Sequence, residues 1–189
     1  LGARVVVHGR DEEKGREVAK EVRNTDGDAT FLRSDFSRTD NVLDFADDVR
    51  DEVDRLDVLL NNAGGLFSDG RLTDDGAEYT FAVNHLAPFV LTAELLPLLR
   101  DTDGRVVTTS SGAHTRTEMN FDTVTDTDGY SAFRIYCQSK LANVMFTREL
   151  ARRLRADDSQ VTANCFHPGA VPGTGFPRET PLPFRIAAR

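Results

Sequence analysis

Residues 130–154 read YSAFRIYCQSKLANVMFTRELARRL, and the spacing within them decides how the rest of the chain is understood. Phe133, Cys137, Leu141 and Val144 recur at three-to-four-residue intervals, and Glu149, Leu150, Ala151 and Leu154 prolong a helix-favouring composition. The pattern predicts one long amphipathic helix from Tyr130 to Leu154. On it Tyr136 and Lys140 stand one turn apart on the same face. A free phenol has a pKa of about 10, and a nearby ammonium favours the phenolate, a tenfold change in acidity being worth roughly 1.4 kcal/mol. The pair is a candidate proton-transfer couple; on a solvated face it would be two ordinary surface residues. Tyr and Lys each occur only three times in 189 residues, which weighs against a chance pairing.

Outward from this helix, short apolar runs alternate with helical patterns. Ala3 to His8, with Val5-Val6-Val7, is continuous and β-branched, the mark of a strand covered on both faces. Gly9-Arg10-Asp11 ends it, and Asp11 caps a helix to Asn24 that carries Glu12 and Glu13 in its first turn. After the Asp26-Gly27-Asp28 turn come a strand from Ala29 to Arg33 and a helix from Thr39 to Val53. Asp57 to Leu60 is a short buried strand that runs into Asn61-Asn62-Ala63-Gly64. There the amides can tie strands together, and the small residues let a flat ligand approach the backbone. Leu72 to Val83 and Leu86 to Arg100 read as two helices, with Pro88 in the first turn of the second. A strand from Gly104 to Thr109 ends in Ser110-Ser111, and a last strand from Gln160 to Phe166 follows the long helix. The fold class is therefore α/β, one doubly wound, Rossmann-like parallel sheet across residues 1–189, with ligands expected at the C-terminal strand ends.

Tyr136-Cys-Gln-Ser-Lys140, together with Ser110-Ser111 after an apolar run and Asn61-Asn62-Ala63-Gly64, resembles the short-chain dehydrogenase/reductase family, whose signature is Tyr-x-x-x-Lys. Val83-Asn84-His85-Leu86 and the run from Tyr136 to Asn143 are most similar to its retinol-dehydrogenase-like subgroup. The agreement extends from Gly2 to Thr174.

The resemblance implies an NADP(H)-dependent oxidoreductase that interconverts a small-molecule carbonyl and an alcohol. Tyr136 would be its acid–base, Lys140 would lower the phenol's pKa and bond the nicotinamide ribose, and Ser111 would bond the substrate oxygen, with Ser110 as the alternative. Asn84 would complete the proton route; taken alone, it is a helix cap. Arg10 ends the strand that meets the adenosine ribose, and its planar fork suits a 2′-phosphate, so NADP(H) is favoured over NAD(H). Its other reading is a solvated turn charge. Asp35 and Phe36 would hold the adenine edge and ring, unless Asp35 caps the helix from Thr39. Asn62, Ala63 and Gly64 would line the adenosine half, and Pro168, Gly169 and Val171 the nicotinamide, with Thr174 reaching the carboxamide. The family's usual hydroxyl residue two after the Val is replaced here by Gly173. The long loop from Gly112 to Gly129 is assigned to the substrate pocket, with His114 structural.

The formal charge is −8; 20 of the 23 basic residues are Arg, and Asp outnumbers Glu 21 to 10. Such a surface disfavours nucleic acid and anionic membrane, and an Asp-rich, Lys-poor chain suits concentrated salt. Cys137 and Cys165 have no metal-ligand spacing and read as small core residues. No uninterrupted apolar stretch has the length of a membrane span and no signal-peptide pattern appears, so a cytoplasmic address is expected. The helices from Leu86 and Tyr130 carry surplus apolar surface, and similar proteins pair them across a two-fold axis, which implies a homodimer or homotetramer. Family members open with an earlier strand and a Thr-Gly-x-x-x-Gly-x-Gly turn. Without these the sheet is expected to be incomplete at both ends and the chain a fragment, with a non-catalytic relic or partner-binding module as the alternative.

Overall fold

The computed structural model describes residues 2–169. Five strands are all parallel: β1 (Arg4–Gly9) pairs with β2 (Asp28–Arg33), and β3 (Val58–Asn61), β4 (Arg105–Thr109) and β5 (Thr162–Phe166) pair in that order. Helices cover both faces. α1 (Glu12–Arg23) packs on β1 and β2, and α6 (Ala132–Ala156), which follows the short α5 (Asp122–Thr125), packs on β4 and β5. α2 (Thr39–Glu52) packs against α4 (Ala87–Arg100), which lies on β3 and β4. The main core joins Phe45, Val49, Leu91, Leu95, Leu99 and Val106 between these helices and the sheet.

Local chemistry sets the boundaries. Asp11 caps α1 by accepting from the Lys14 amide at 3.1 Å. α6 begins later than its apolar spacing suggests, because the Ser131 hydroxyl accepts from the Arg134 amide and starts the helix at Ala132. The cap of α2 comes from outside: Asp75 accepts from the Thr39 amide at 2.8 Å, whereas Asp35 accepts from the Ser37 amide at 3.0 Å and closes a turn. The alternative reading of Asp35 as the α2 cap is therefore corrected.

Two further expectations change. The segment from Leu72 is not helical until Tyr79: Gly76, at φ +79°, turns the chain so that Leu72 bridges Glu78 in antiparallel fashion. From there α3 (Tyr79–Phe81), a π-turn (Ala82–Leu86) and α4 form one helical run through Asn84 instead of two helices. Once joined, the run of 22 residues from Tyr79 to Arg100 is long and apolar enough to cross a membrane by length and composition. Half of it is buried in the fold, with Leu91, Leu95 and Leu99 in the core, as in a core helix of a globular domain.

The sheet is divided among the described residues. β1 and β3 each have only one partner, and Val58 and Leu60 on β3 are 51% and 55% exposed. The expectation of a parallel α/β fold is met.

Candidate active site

β4 ends at Thr109, and the next residues, Ser110 and Ser111, stand beside the middle of α6. Ser110 is buried, its hydroxyl donating to the Lys140 carbonyl at 2.9 Å. Ser111 caps the 3₁₀ turn Gly112–Arg116 by accepting from the Ala113 amide at 3.2 Å. Its side chain also stands close enough to the Tyr136 phenol to favour the ionised form. Of the two serines it is thus Ser111 whose hydroxyl meets the tyrosine. His114 turns its Nδ1 to the Ser111 carbonyl at 2.6 Å, the structural role expected of it.

The proton chemistry of Tyr136 and Lys140 differs from the reading of their spacing. Lys140 is 5% exposed, and burial pushes the pKa of its ammonium down to about 8. Its Nζ donates to the Thr109 carbonyl at 3.0 Å and lies 5.8 Å from the centroid of the Tyr136 ring. Burial also raises the Tyr136 phenol above its ordinary value, with the Ser111 side chain acting in the opposite direction. The expectation of a phenol made acidic by its helical neighbour is corrected: desolvation of the charged form is the largest influence on the phenol. Tyr136 is held as a protonated phenol at neutral pH.

Asn84 occupies the π-turn and is 1% exposed. Its Oδ1 accepts from the Gly65 amide at 2.9 Å, and its Nδ2 donates to the Gly65 carbonyl at 2.9 Å and to the Ser139 hydroxyl at 3.0 Å. It is a brace between the β3 loop and α6 and does not serve as a cap. Gly64 completes the wall: a Cβ there would stand 2.8 Å from Asn84 Oδ1 and 3.6 Å from Lys140 Nζ. Asn62 accepts from the Thr109 hydroxyl at 3.0 Å, tying the loop after β3 to the end of β4. Asn62, Ala63, Gly64, Asn84, Ser111, Tyr136 and Lys140 are thereby brought to one edge of the three-stranded sheet.

The residues at the ends of β1 and β2 form a second, more open group. Arg10 is exposed and donates to the Tyr79 hydroxyl at 2.7 Å. Phe36 is corrected from an adenine contact to a core residue: its ring is 6% exposed and stacks on His8 with centroids 3.8 Å apart. Asp35 remains part-buried at the strand end. Pro168 and Gly169 follow β5 and are exposed, while Val171 and Thr174 lie outside the described residues. The loop assigned to the substrate pocket is also partly redirected, since Met119, Phe121 and Val124 line a groove between α4 and α6.

Sequence reasoning assigned no role to Gln138 or Asn143. Both are buried on α6, and Gln138 holds the loop by accepting from the Asn120 amide at 3.0 Å. For Asn143 a signal was present: Tyr136, Lys140, Asn143 and Thr147 recur at i, i+4, i+7 and i+11, a polar stripe as regular as the apolar one.

The short chain dehydrogenase family model matches residues 1–181. Human retinol dehydrogenase 11 is 43% identical over 173 residues, covering 90% of this chain and 54% of that protein. Mouse retinol dehydrogenase 14 is 39% identical over 184 residues, with the same two coverages of 90% and 54%. The chain spans about half the length of the curated relatives it matches. Among solved structures, a metagenomic short-chain oxidoreductase in complex with NADP is 30% identical with a TM-score of 0.70, covering 89% of this chain and 72% of that one.

Proposed function

The chain belongs to the short-chain dehydrogenase family, in its retinol-dehydrogenase-like subgroup, and on that premise we propose that it carries the catalytic core of an NADP(H)-dependent interconversion of a carbonyl and an alcohol. The observation that carries this reading is the meeting of the Ser111 side chain and the Tyr136 phenol, at the C-terminal end of a parallel sheet and beside a buried Lys140 whose Nζ donates to the Thr109 carbonyl at 3.0 Å. Two hydroxyls that face each other can both bond one substrate oxygen placed between them.

The residues present fit a nicotinamide dinucleotide. Gly64 leaves open the space that a Cβ would fill against Asn84 and Lys140, and Lys140 offers ammonium donors to a ribose. Bound NADPH supplies the hydride. In reduction, Tyr136 gives its phenolic proton to the substrate oxygen while Ser111 orients that oxygen and stabilises its developing charge. Lys140 then favours the phenolate that remains. The C–O double bond becomes a single bond, with carbon gaining the hydride and oxygen the proton. The chain's own contribution is position and field.

Tyr136→Phe tests the reading. Turnover of an aldehyde panel, followed by NADPH absorbance, should fall to background with the dissociation constant for NADPH nearly unchanged. Turnover near that of the parent would remove Tyr136 from the role.

Preference for NADP(H) rests on Arg10, whose exposed guanidinium keeps donors beyond the one given to Tyr79. Arg10→Ala should raise KM for NADPH about tenfold, a loss of roughly 1.4 kcal/mol, and leave that for NADH almost unmoved. An equal effect on both would refute the preference.

Pairing of two copies is supported by the groove of about 720 Å³ between α4 and α6, where Phe89 and Met145 are each about half exposed. One observation favours a second reading, a partner-binding module that does not turn over: the division of the sheet between β1 and β3. Titration with NADPH separates the two, since the module would bind it no better than adenosine.

A further inference from the structure

We propose that Asn143 is a positioning residue of this active site, fixing from one turn beyond Lys140 both the carbonyl on which the Lys140 ammonium rests and the backbone of Asn84. The inference rests on the oxidoreductase reading for its consequence and on hydrogen bonding for its geometry.

Asn143 is 1% exposed, so each of its polar atoms needs a partner. Its Nδ2 donates to the Asn84 carbonyl at 3.0 Å and, more weakly, to the Thr109 carbonyl at 3.4 Å. Thr109's carbonyl is the one that accepts from Lys140 Nζ at 3.0 Å. Two donors from successive turns of α6 therefore converge on one oxygen at the end of β4. Both carbonyls can only accept, so Asn143 must present its NH₂ to them, and its Oδ1 then faces His85 Nδ1 at 3.0 Å. That contact puts the His85 proton on Nδ1 and bars the amide from flipping.

The Asn84 carbonyl lies in the π-turn, and the residue four further on, whose amide would ordinarily bond it, is Pro88, which has no N–H to give. Asn143 supplies it. Asn84's own side chain is committed to Gly65 and Ser139, and the Asn143 amide reaches both the backbone of this brace and the carbonyl on which the ammonium rests. Around Lys140 the titratable groups that enter this network are Tyr136 on its own helix and His85 on the π-turn; burial alone depresses the ammonium. Burial likewise lowers His85, which stays neutral near pH 7.

Asn143→Leu keeps the bulk and removes both donors. Thr109's carbonyl is then released to Lys140 alone, and a loosened wall admits water; both changes favour the ammonium. The chain has only three lysines, so ¹³Cε-lysine NMR can follow Lys140 directly, without turnover. The expected result is a rise in the Lys140 titration midpoint of about half a pH unit or more. In the same variant kcat should fall roughly tenfold to a hundredfold, with the substrate KM little changed.

Thr147→Val is the control. It removes a buried hydroxyl whose bond is to the Asn143 carbonyl at 2.7 Å, and it should lower the melting temperature yet leave the Lys140 midpoint in place. A Lys140 midpoint in Asn143→Leu equal to the parent's overturns the proposal, as does an equal rise in Thr147→Val. Should leucine prevent folding, Asn143→Ser, too short to reach either carbonyl, is read by the same criteria. If the Lys140 midpoint rises on substitution as expected but the parent shows no turnover, the oxidoreductase reading is defeated and the placement of Asn143 stands.

Discussion

Two stripes of α6 depart from the usual arrangement of a surface helix, although Ile135, Cys137, Ala142 and Leu154 are buried in the ordinary way. One face carries Tyr136, Lys140, Asn143 and Thr147, which are polar and between 1% and 7% exposed. On the other, Met145 is 48% exposed and looks across a groove at Phe89, 49% exposed. Polar groups are tolerated inside only when hydrogen-bonded, and most of these have named partners: Thr109's carbonyl for Lys140, Asn84 and His85 for Asn143, the Asn143 carbonyl for Thr147. The inward stripe thus buries polar groups at a cost in stability, and the outward face leaves apolar surface exposed. Each half of this contrast can be broken separately.

The largest effect is expected from Lys140, the one formal charge in the stripe. Its folded pKa of about 8 stands against an ordinary value of 10.5, so the buried ammonium costs about 3 kcal/mol at neutral pH. The sign follows from proton counts. Between pH 8 and 10.5 the unfolded chain still holds the proton that the folded chain has released, so folding becomes more favourable as pH rises through that window. Lys140→Met should therefore be more stable than the parent at pH 7 by up to about 3 kcal/mol, less the hydrogen bond to Thr109, while losing turnover. Urea midpoints at pH 7 and pH 10 check it: the advantage should shrink at the higher pH. A gap that stayed constant, or a variant less stable at pH 7, would mean that the ammonium is better solvated than its burial indicates.

Much of this contrast was legible in the sequence, though its sense was not. Tyr-x-x-x-Lys marks the helix, and Asn61-Asn62-Ala63-Gly64 and Ser110-Ser111 mark the strand ends that meet it. The structure brings all three together. Periodicity, however, reports only that a helix has two kinds of face, and by default it assigns the apolar one to the sheet. The stripe from Tyr136 to Thr147 lies inward because its partners are backbone carbonyls and side chains at Thr109, Asn84 and His85, remote in sequence and invisible to a local pattern. The same limit explains the phenol. Spacing places an ammonium near Tyr136, but whether charge attraction or desolvation prevails depends on burial, which only the packed fold determines. The helical run through Asn84 reads as two helices for a related reason: a π-turn has no composition of its own, and an Asn beside His in mid-helix looks like a boundary.

The outward face provides the smallest effect and the sharper discrimination. Met145→Gln alters a half-exposed side chain that makes no buried polar contact, so the stability of an isolated copy should change by no more than about 0.5 kcal/mol. If two copies pair through the α4–α6 groove, the same substitution places an amide against Phe89 or its neighbours, and the dissociation constant should rise although the monomer is untouched. Sedimentation velocity across a hundredfold range of concentration, for parent and variant, separates these effects. A parent that remains monomeric throughout would remove the pairing and leave the groove with no assigned partner. A parent that dimerises with an affinity indifferent to Met145 would place the interface elsewhere, and the unusual polarity of α6 would then serve its inner face alone.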